Sequence, residues 1–256
     1  MNLKLGKLPY REDQRTLKLR LVMKAELPPI PEAFSVDQSL GGIQDNYVYG
    51  NDRYGCCAVA AVAHHTLRFE DYEQGRQIDI STADVLTWYW RLQGWKGGCW
   101  LDNKPDNGLV MLDVLKDWRG NGWKAAGGIY KNYAYGLVNW KDHEDVKAAI
   151  YLLNGAYVGI MLPKSAQTQY DLGLPWAADE SPDGSWGSWG GHAVYVFSYD
   201  QDGLTCMTWG KRQKLSWAFW DKYVEECWAI IDRPNKADSI VDCEKLEAYL
   251  AQIKGG

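Results

Sequence analysis

The spacing of apolar positions changes character twice along this chain of 256 residues. Residues 1–27 carry seven Lys or Arg, and Leu17-Lys18-Leu19-Arg20-Leu21 alternates apolar with basic. That alternation predicts an edge strand or an extended arm. It leaves open whether this basic arm folds onto its own chain or docks on a partner. Leu27-Pro28-Pro29-Ile30-Pro31 then stiffens the chain as a spacer. From Cys57 to Phe69 the pattern becomes helical, and Ala58 to Ala63 is apolar on every side. A helix of that kind is buried rather than laid on a surface. Asp84–Arg91, Met111–Arg119 and His143–Leu153 predict further helices, the last closed by Asn154-Gly155 as a left-handed stop.

The texture then turns to β. Tyr157–Leu162, His192–Tyr199, Thr205–Trp209 and Cys227–Ile231 are β-rich runs, and Asp200–Gly203 supplies a hairpin turn. Residues 163–191 read as a long Gly/Trp/Ser/Pro loop, and Asp242–Lys254 as a short amphipathic helix. Helices first and strands later predict an α+β fold with a helical half and a sheet half. The expected organisation is a basic arm (1–27) and a main domain (28–235), followed by a C-terminal helix and tail (236–256). Within the domain the helical half spans about 50–153 and the β half about 154–235.

Composition narrows the function. A net charge of −5 gives no reason to expect nucleic acid as a partner. No apolar run approaches the ~20 residues that span a bilayer, and the first residues lack the apolar core of a secretory signal. The cysteines at 56, 57, 99, 206, 227 and 243 show no CxxC spacing, and the histidines are scattered. Neither a disulfide scaffold nor a zinc site is expected, no metal or cofactor is called for, and synthesis in a reducing cytoplasm is implied. The 14 Trp and 16 Tyr against 4 Phe suit cores that reach clefts and interfaces. Trp88, Trp90, Trp95 and Trp100 are read as packing the helical half, Trp186 and Trp189 as candidates to line a cleft. His64 and His65 lie about two helical turns from Cys57 and are read as core or surface groups.

Two stretches carry candidate chemistry: Gly55-Cys56-Cys57-Ala58, opening the apolar helix, and Gly190-Gly191-His192-Ala193-Val194, opening an apolar strand. A thiol is nucleophilic as the thiolate, which a helix N-terminus and a nearby imidazolium both favour. Together with Thr208-Trp209-Gly210, the Asn107-Gly108 loop and Asn154-Gly155-Ala156-Tyr157-Val158, these stretches resemble the papain-like cysteine peptidases over roughly residues 28–232. The separation of Cys57 from His192 lies within the roughly 130–150 residues typical of that family. Asn51-Asp52 through Cys57 is also similar to a subset of such proteins from bacteriophages and their hosts.

The resemblance implies a two-lobed fold with Cys57 as nucleophile and His192 as general base, Cys56 being the alternative thiol. Asn51 stands where the family has a Gln that binds the oxyanion, beside the N–H of Cys57. Trp209, Asn107, Gly108 and Gly191 would line the substrate cleft. Met207 falls where the family carries the Asn that orients the histidine; a side chain from the 179–191 loop could substitute, and a thiolate–imidazolium pair can form without an orienter. The implied activity is hydrolysis of a peptide or amide bond in a protein or in cell-wall peptides. The alternative is an interaction module on the same fold, for example in a phage virion, docking through residues 1–27. Met207, the arm, and the lack of a long inhibitory segment before the domain motivate that alternative.

Overall fold

The computed structural model describes residues 3–39, 46–97, 104–232 and 240–254. Cys99, Trp100 and the start of the C-terminal tail lie outside these residues. The helix α1 (Cys57–Gln74) is buried from Cys57 through Glu70. It ends where Gly75, at φ 60°, lets its N–H reach Asp71 O and that of Arg76 reach Glu70 O. Ser81 and Asp84 cap α2 (Thr82–Leu92) reciprocally. α3 (Met111–Gly120) and α4 (His143–Leu152) complete the helices expected from periodicity. Trp88 stacks on Trp123 at 5.0 Å and Trp90 meets Tyr54 edge-on at 5.4 Å, so these rings pack the helical half.

The antiparallel sheet runs β4 (Ala134–Leu137), β9 (Val224–Ile231), β5 (Ala156–Leu162), β6 (Gly190–Tyr199), β7 (Gly203–Thr208), β8 (Lys211–Ser216). A short β1 (Phe34–Ser35) pairs with the end of β6, and β2 (Trp123–Ala125) and β3 (Gly128–Tyr130) form a separate hairpin. Side chains alternate across a strand. Accordingly Ala193, Tyr195 and Phe197 of β6 face the core built around α1, while Val194 and Val196 face a second core. The fold is therefore α+β, as the pattern implied.

Four elements depart from expectation. Leu17-Lys18-Leu19-Arg20-Leu21 is no strand: Leu19–Leu21 is a 3₁₀ turn, and Leu17 and Leu19 are buried while Leu21 is exposed. The 163–191 stretch contains α5 (Lys164–Asp171), which is polar except for Ala166 and Tyr170, one turn apart on its buried face. Between the expected strands lie β8 and α6 (Trp217–Tyr223). The C-terminal helix, α7 (Cys243–Lys254), begins one residue later than expected.

Candidate active site

The thiol turn is set by the start of α1. Cys56 is the N-cap, and its carbonyl accepts the N–H groups of Val59 and Ala60 at 3.1 and 3.0 Å. Cys57 is then the first helical residue, whose N–H has no partner within the helix. The two sulfurs diverge: Cys56 Sγ turns inward to Tyr49 O at 3.5 Å, whereas Cys57 Sγ meets the N–H groups of Ala193, Gly6 and Ala58. Burial pushes the Cys57 thiol up, and those N–H groups and the Lys7 charge offset part of the effect. Asp106 braces the turn by accepting from Gly55 N–H at 2.8 Å and the Tyr89 hydroxyl at 2.6 Å. Tyr89 in turn accepts from Gly108 N–H at 3.2 Å, tying the Asn107-Gly108 loop to α2.

His192 sits near the start of β6, one residue from Ala193, and is 1% exposed. Its Nε2 pairs with Thr208 Oγ1 at 2.6 Å, and its ring stacks on Trp209 at 4.1 Å and 13°. Nδ1 is buried and has no hydrogen-bond partner among the described residues. Burial holds the imidazole pKa down at about 3. Met207 does not reach the ring. It lies across from Tyr195 with its side chain in the helical core. The side chain that pairs with His192 is the next residue, Thr208, rather than one from the 179–191 loop. Trp209 and Gly210 form the two-residue turn into β8, both with positive φ, at 43° and 73°. A bulky residue in that region is strained. The stacked His192 ring, Trp189 at 5.5 Å and a hydrogen bond to the arm hold Trp209 there.

The groove between the two walls is filled by the start of the chain. Asn51 Nδ2 donates to Lys4 O at 3.2 Å and to Tyr54 O at 2.9 Å, and Trp209 Nε1 donates to the same Lys4 carbonyl at 3.3 Å. Lys7 N–H donates to Gly191 O at 3.1 Å. Leu109 N–H donates to Gly6 O at 2.8 Å and Leu8 N–H to Leu109 O at 2.9 Å, a parallel register. Gly6 crosses the thiol turn because it lacks a side chain; a Cβ there would overlap the Gly55 carbonyl. Gly108, at φ 74°, likewise leaves room for the Gly6 carbonyl.

Asn51, Trp209, Gly108 and Gly191 thus meet one groove beside Cys57. Asn107 stands at its rim, exposed, with its N–H on Gln93 Oε1 at 2.8 Å. Residues 4–8 of the basic arm therefore lie against their own domain, in this groove. His64 and His65, by contrast, are buried in the core around α1, their pKa values pushed to about 3 by burial and by Arg68. Trp189 packs on Trp209, while Trp186 is largely exposed.

The chain superposes on xylellain, a cysteine protease from Xylella fastidiosa, with a TM-score of 0.67, spanning 90% of this chain and 97% of that one. The fold is papain-like. The sequences are 16% identical. A Carica candamarcensis cysteine protease in complex with E-64 is similar at TM-score 0.54 and 12% identity, over 79% of this chain and 99% of that one. Procathepsin B S9 from Trypanosoma congolense is similar at TM-score 0.54 and 14% identity, over 89% and 86%. No protein-family model and no curated protein matches the sequence. Among the described residues no helix is long and apolar enough to cross a membrane.

Proposed function

We propose that this papain-like chain is a cysteine-nucleophile hydrolase of peptide or amide bonds, held closed by its own N-terminal residues. One observation carries the reading. Beside a thiol at a helix start, an extended peptide is held by both walls, and one of its carbonyls accepts from two side-chain N–H donors, Asn51 and Trp209. A groove so equipped is built to hold an extended chain and to grip carbonyl oxygen.

The chemistry follows from the residues. Cys57 gives its proton to His192 and attacks the amide carbonyl. The N–H of Cys57 and Asn51 Nδ2 donate to the oxyanion. His192 protonates the leaving amine, and water, deprotonated by the same ring, releases the acyl group from sulfur. Thr208 holds Nε2, leaving Nδ1 for the proton transfers. In the closed chain burial keeps thiol and imidazole neutral, so the nucleophile is at rest.

The features that favoured a non-catalytic module have other employment. Thr208 does what Met207 cannot, and residues 3–8 lie in the chain's own groove. The test uses the full chain with Gly6→Val, which drives a side chain into Gly55. Cys57 should react with a thiol-directed epoxide at least about tenfold faster than in the unaltered chain, and His192→Ala in that background should slow it by a similar factor. Equal, slow labelling of all three proteins would sink the reading.

A further inference from the structure

The root of the arm is fixed to the domain at both ends of its 3₁₀ turn. Leu137 N–H donates to Leu17 O at 2.7 Å, and Lys18 pairs in parallel with Leu137 of β4. Leu19 lies close on Gly136, where a Cβ would come within 3.1 Å of Leu19 Cα. Beyond the turn, Asp242 N–H donates to Val22 O at 2.7 Å and Lys24 N–H to Ile240 O at 2.9 Å. Between this anchored loop and the domain lies a cavity of about 390 Å³. The arm contributes Leu19, Met23 and Leu27 to its wall; the domain contributes Val138, Trp140 and Ala148. No residue that borders it belongs to the groove beside Cys57.

The hollow is preformed. Trp220 Nε1 donates to Trp140 O at 2.8 Å, which fixes the Trp140 backbone. Asp142 caps the start of α4 by accepting from Glu144 N–H at 3.0 Å, which fixes the helix that carries Ala148. Small-molecule sites have this size and this make-up, a mostly apolar lining with a few polar groups set at one place. Water finds few partners against such walls, so an apolar chain displaces it readily.

The polar groups decide the head of the occupant. Lys18, Arg20, Asn139 and Asp145 also border the cavity. Asp145, its one acidic residue, is already engaged, with Oδ1 3.1 Å from Arg20 Nη1. Lys18 has no ion pair and the Asn139 amide no hydrogen bond among the described residues. The unused capacity is therefore all donor, and it includes one uncompensated positive charge. An anionic oxygen head matches it, whereas an ammonium head would meet Lys18 and Arg20 with no carboxylate to spare. The whole chain carries a net charge of −5, so diffuse attraction does not draw an anion here.

We propose that this cavity binds an apolar monocarboxylate, of the kind of a medium-chain fatty acid. Its chain lies against Met23, Trp140 and Ala148, and its carboxylate meets Lys18 and Asn139 at the mouth. Such a molecule touches the arm and the domain at once, so its binding stabilises the docked root of the arm. The site shares no residue with the groove and stands whether or not the chain is a hydrolase.

The test uses the full chain and calorimetric titration with decanoate and decylammonium, each below the concentration at which it forms micelles. Decanoate should bind saturably at one site and decylammonium at least about fivefold more weakly, and Lys18→Met should weaken decanoate about three- to fivefold. Ala148→Trp, which fills the cavity, should abolish binding. Absence of saturable decanoate binding, or the same affinity in the Ala148→Trp chain, would overturn the site. Equal affinities for the two ions, or no effect of Lys18→Met, would overturn the carboxylate assignment. A second measurement needs no variant. Decanoate carrying a diazirine at its chain end should, on irradiation, attach to residues 19–27 or 137–148, and excess decanoate should prevent it. Attachment confined to other residues would overturn the proposal even where the Ala148→Trp chain fails to fold.

Discussion

Thr208 shows how a single hydroxyl can take over a role that the sequence pattern assigns to its neighbour. Its Oγ1 holds His192 Nε2 at 2.6 Å, while Nδ1 has no hydrogen-bond partner among the described residues. In an opened chain Thr208→Val should lower kcat by about 10–100-fold with KM and melting midpoint little changed, and Thr208→Ser should restore most of it. Asn51→Ala should lower turnover by about 10²–10³ if its amide faces the oxyanion; a change confined to KM would assign it to substrate binding alone. At this scale the sequence was legible where residue type and context coincide, as at Cys57 opening an apolar helix. Thr208 stood inside the Thr208-Trp209-Gly210 motif, but no one-dimensional pattern tells which of two adjacent strand residues points at a ring on the neighbouring strand, 16 residues away. Lys7 was hidden for a different reason: its buried ammonium pairs with Glu225 and Glu226 at a bulge between β5 and β9, over two hundred residues distant, and a bulge has no sequence period.

Elements with a strong apolar rhythm were legible, and those stabilised by tertiary pairing were not. α1 to α4 each bury an apolar face and carry a cap or stop, so periodicity finds them within a few residues. β8, Lys-Arg-Gln-Lys-Leu-Ser, is an outer strand with alternating exposed charges, a composition that protects a sheet edge and reads as a loop. α5 buries only Ala166 and Tyr170, too little for a hydrophobic pattern. The loop bearing Asn107 and Gly108 depends on Asp106, which bonds the thiol turn and α2 together. Asp106→Ala should lower stability by roughly 1–3 kcal/mol, measured by urea unfolding, and should speed Cys57 labelling as Leu109 loosens its hold on residues 6 and 8. Unchanged labelling despite lower stability would separate the loop from the closure.

Across the whole molecule, buried ionisable groups set the response to acid. His64, His65 and His192 are each held at about 3, well below the ordinary value near 6.5. The unfolded chain therefore binds protons that the folded chain refuses, and stability falls as pH drops below about 6.5 toward 3. Each histidine contributes up to about 1.4 kcal/mol per pH unit in the middle of that window. Asp232 works in the opposite sense: burial, with Glu70 nearby, raises it to about 8, so its penalty grows as pH rises above the ordinary carboxylate range. Three depressed groups outweigh one raised group between pH 6 and 5, and urea midpoints should fall across that interval. Because Asp232 already cancels one of the three, His65→Gln should flatten the fall by about half, and an unaltered slope would show that His65 gains its proton without unfolding.

The arm is tied to the domain it closes, and that changes what dilution can do. A tethered occupant meets its groove at an effective concentration in the millimolar range for a short flexible connection, whatever the amount of protein in solution. Spreading the molecules apart therefore never vacates the groove. Any peptide seeking Cys57 must compete with an inhibitor that travels with the catalyst, so the closed chain should show an inflated KM, and the same maximal rate once saturated.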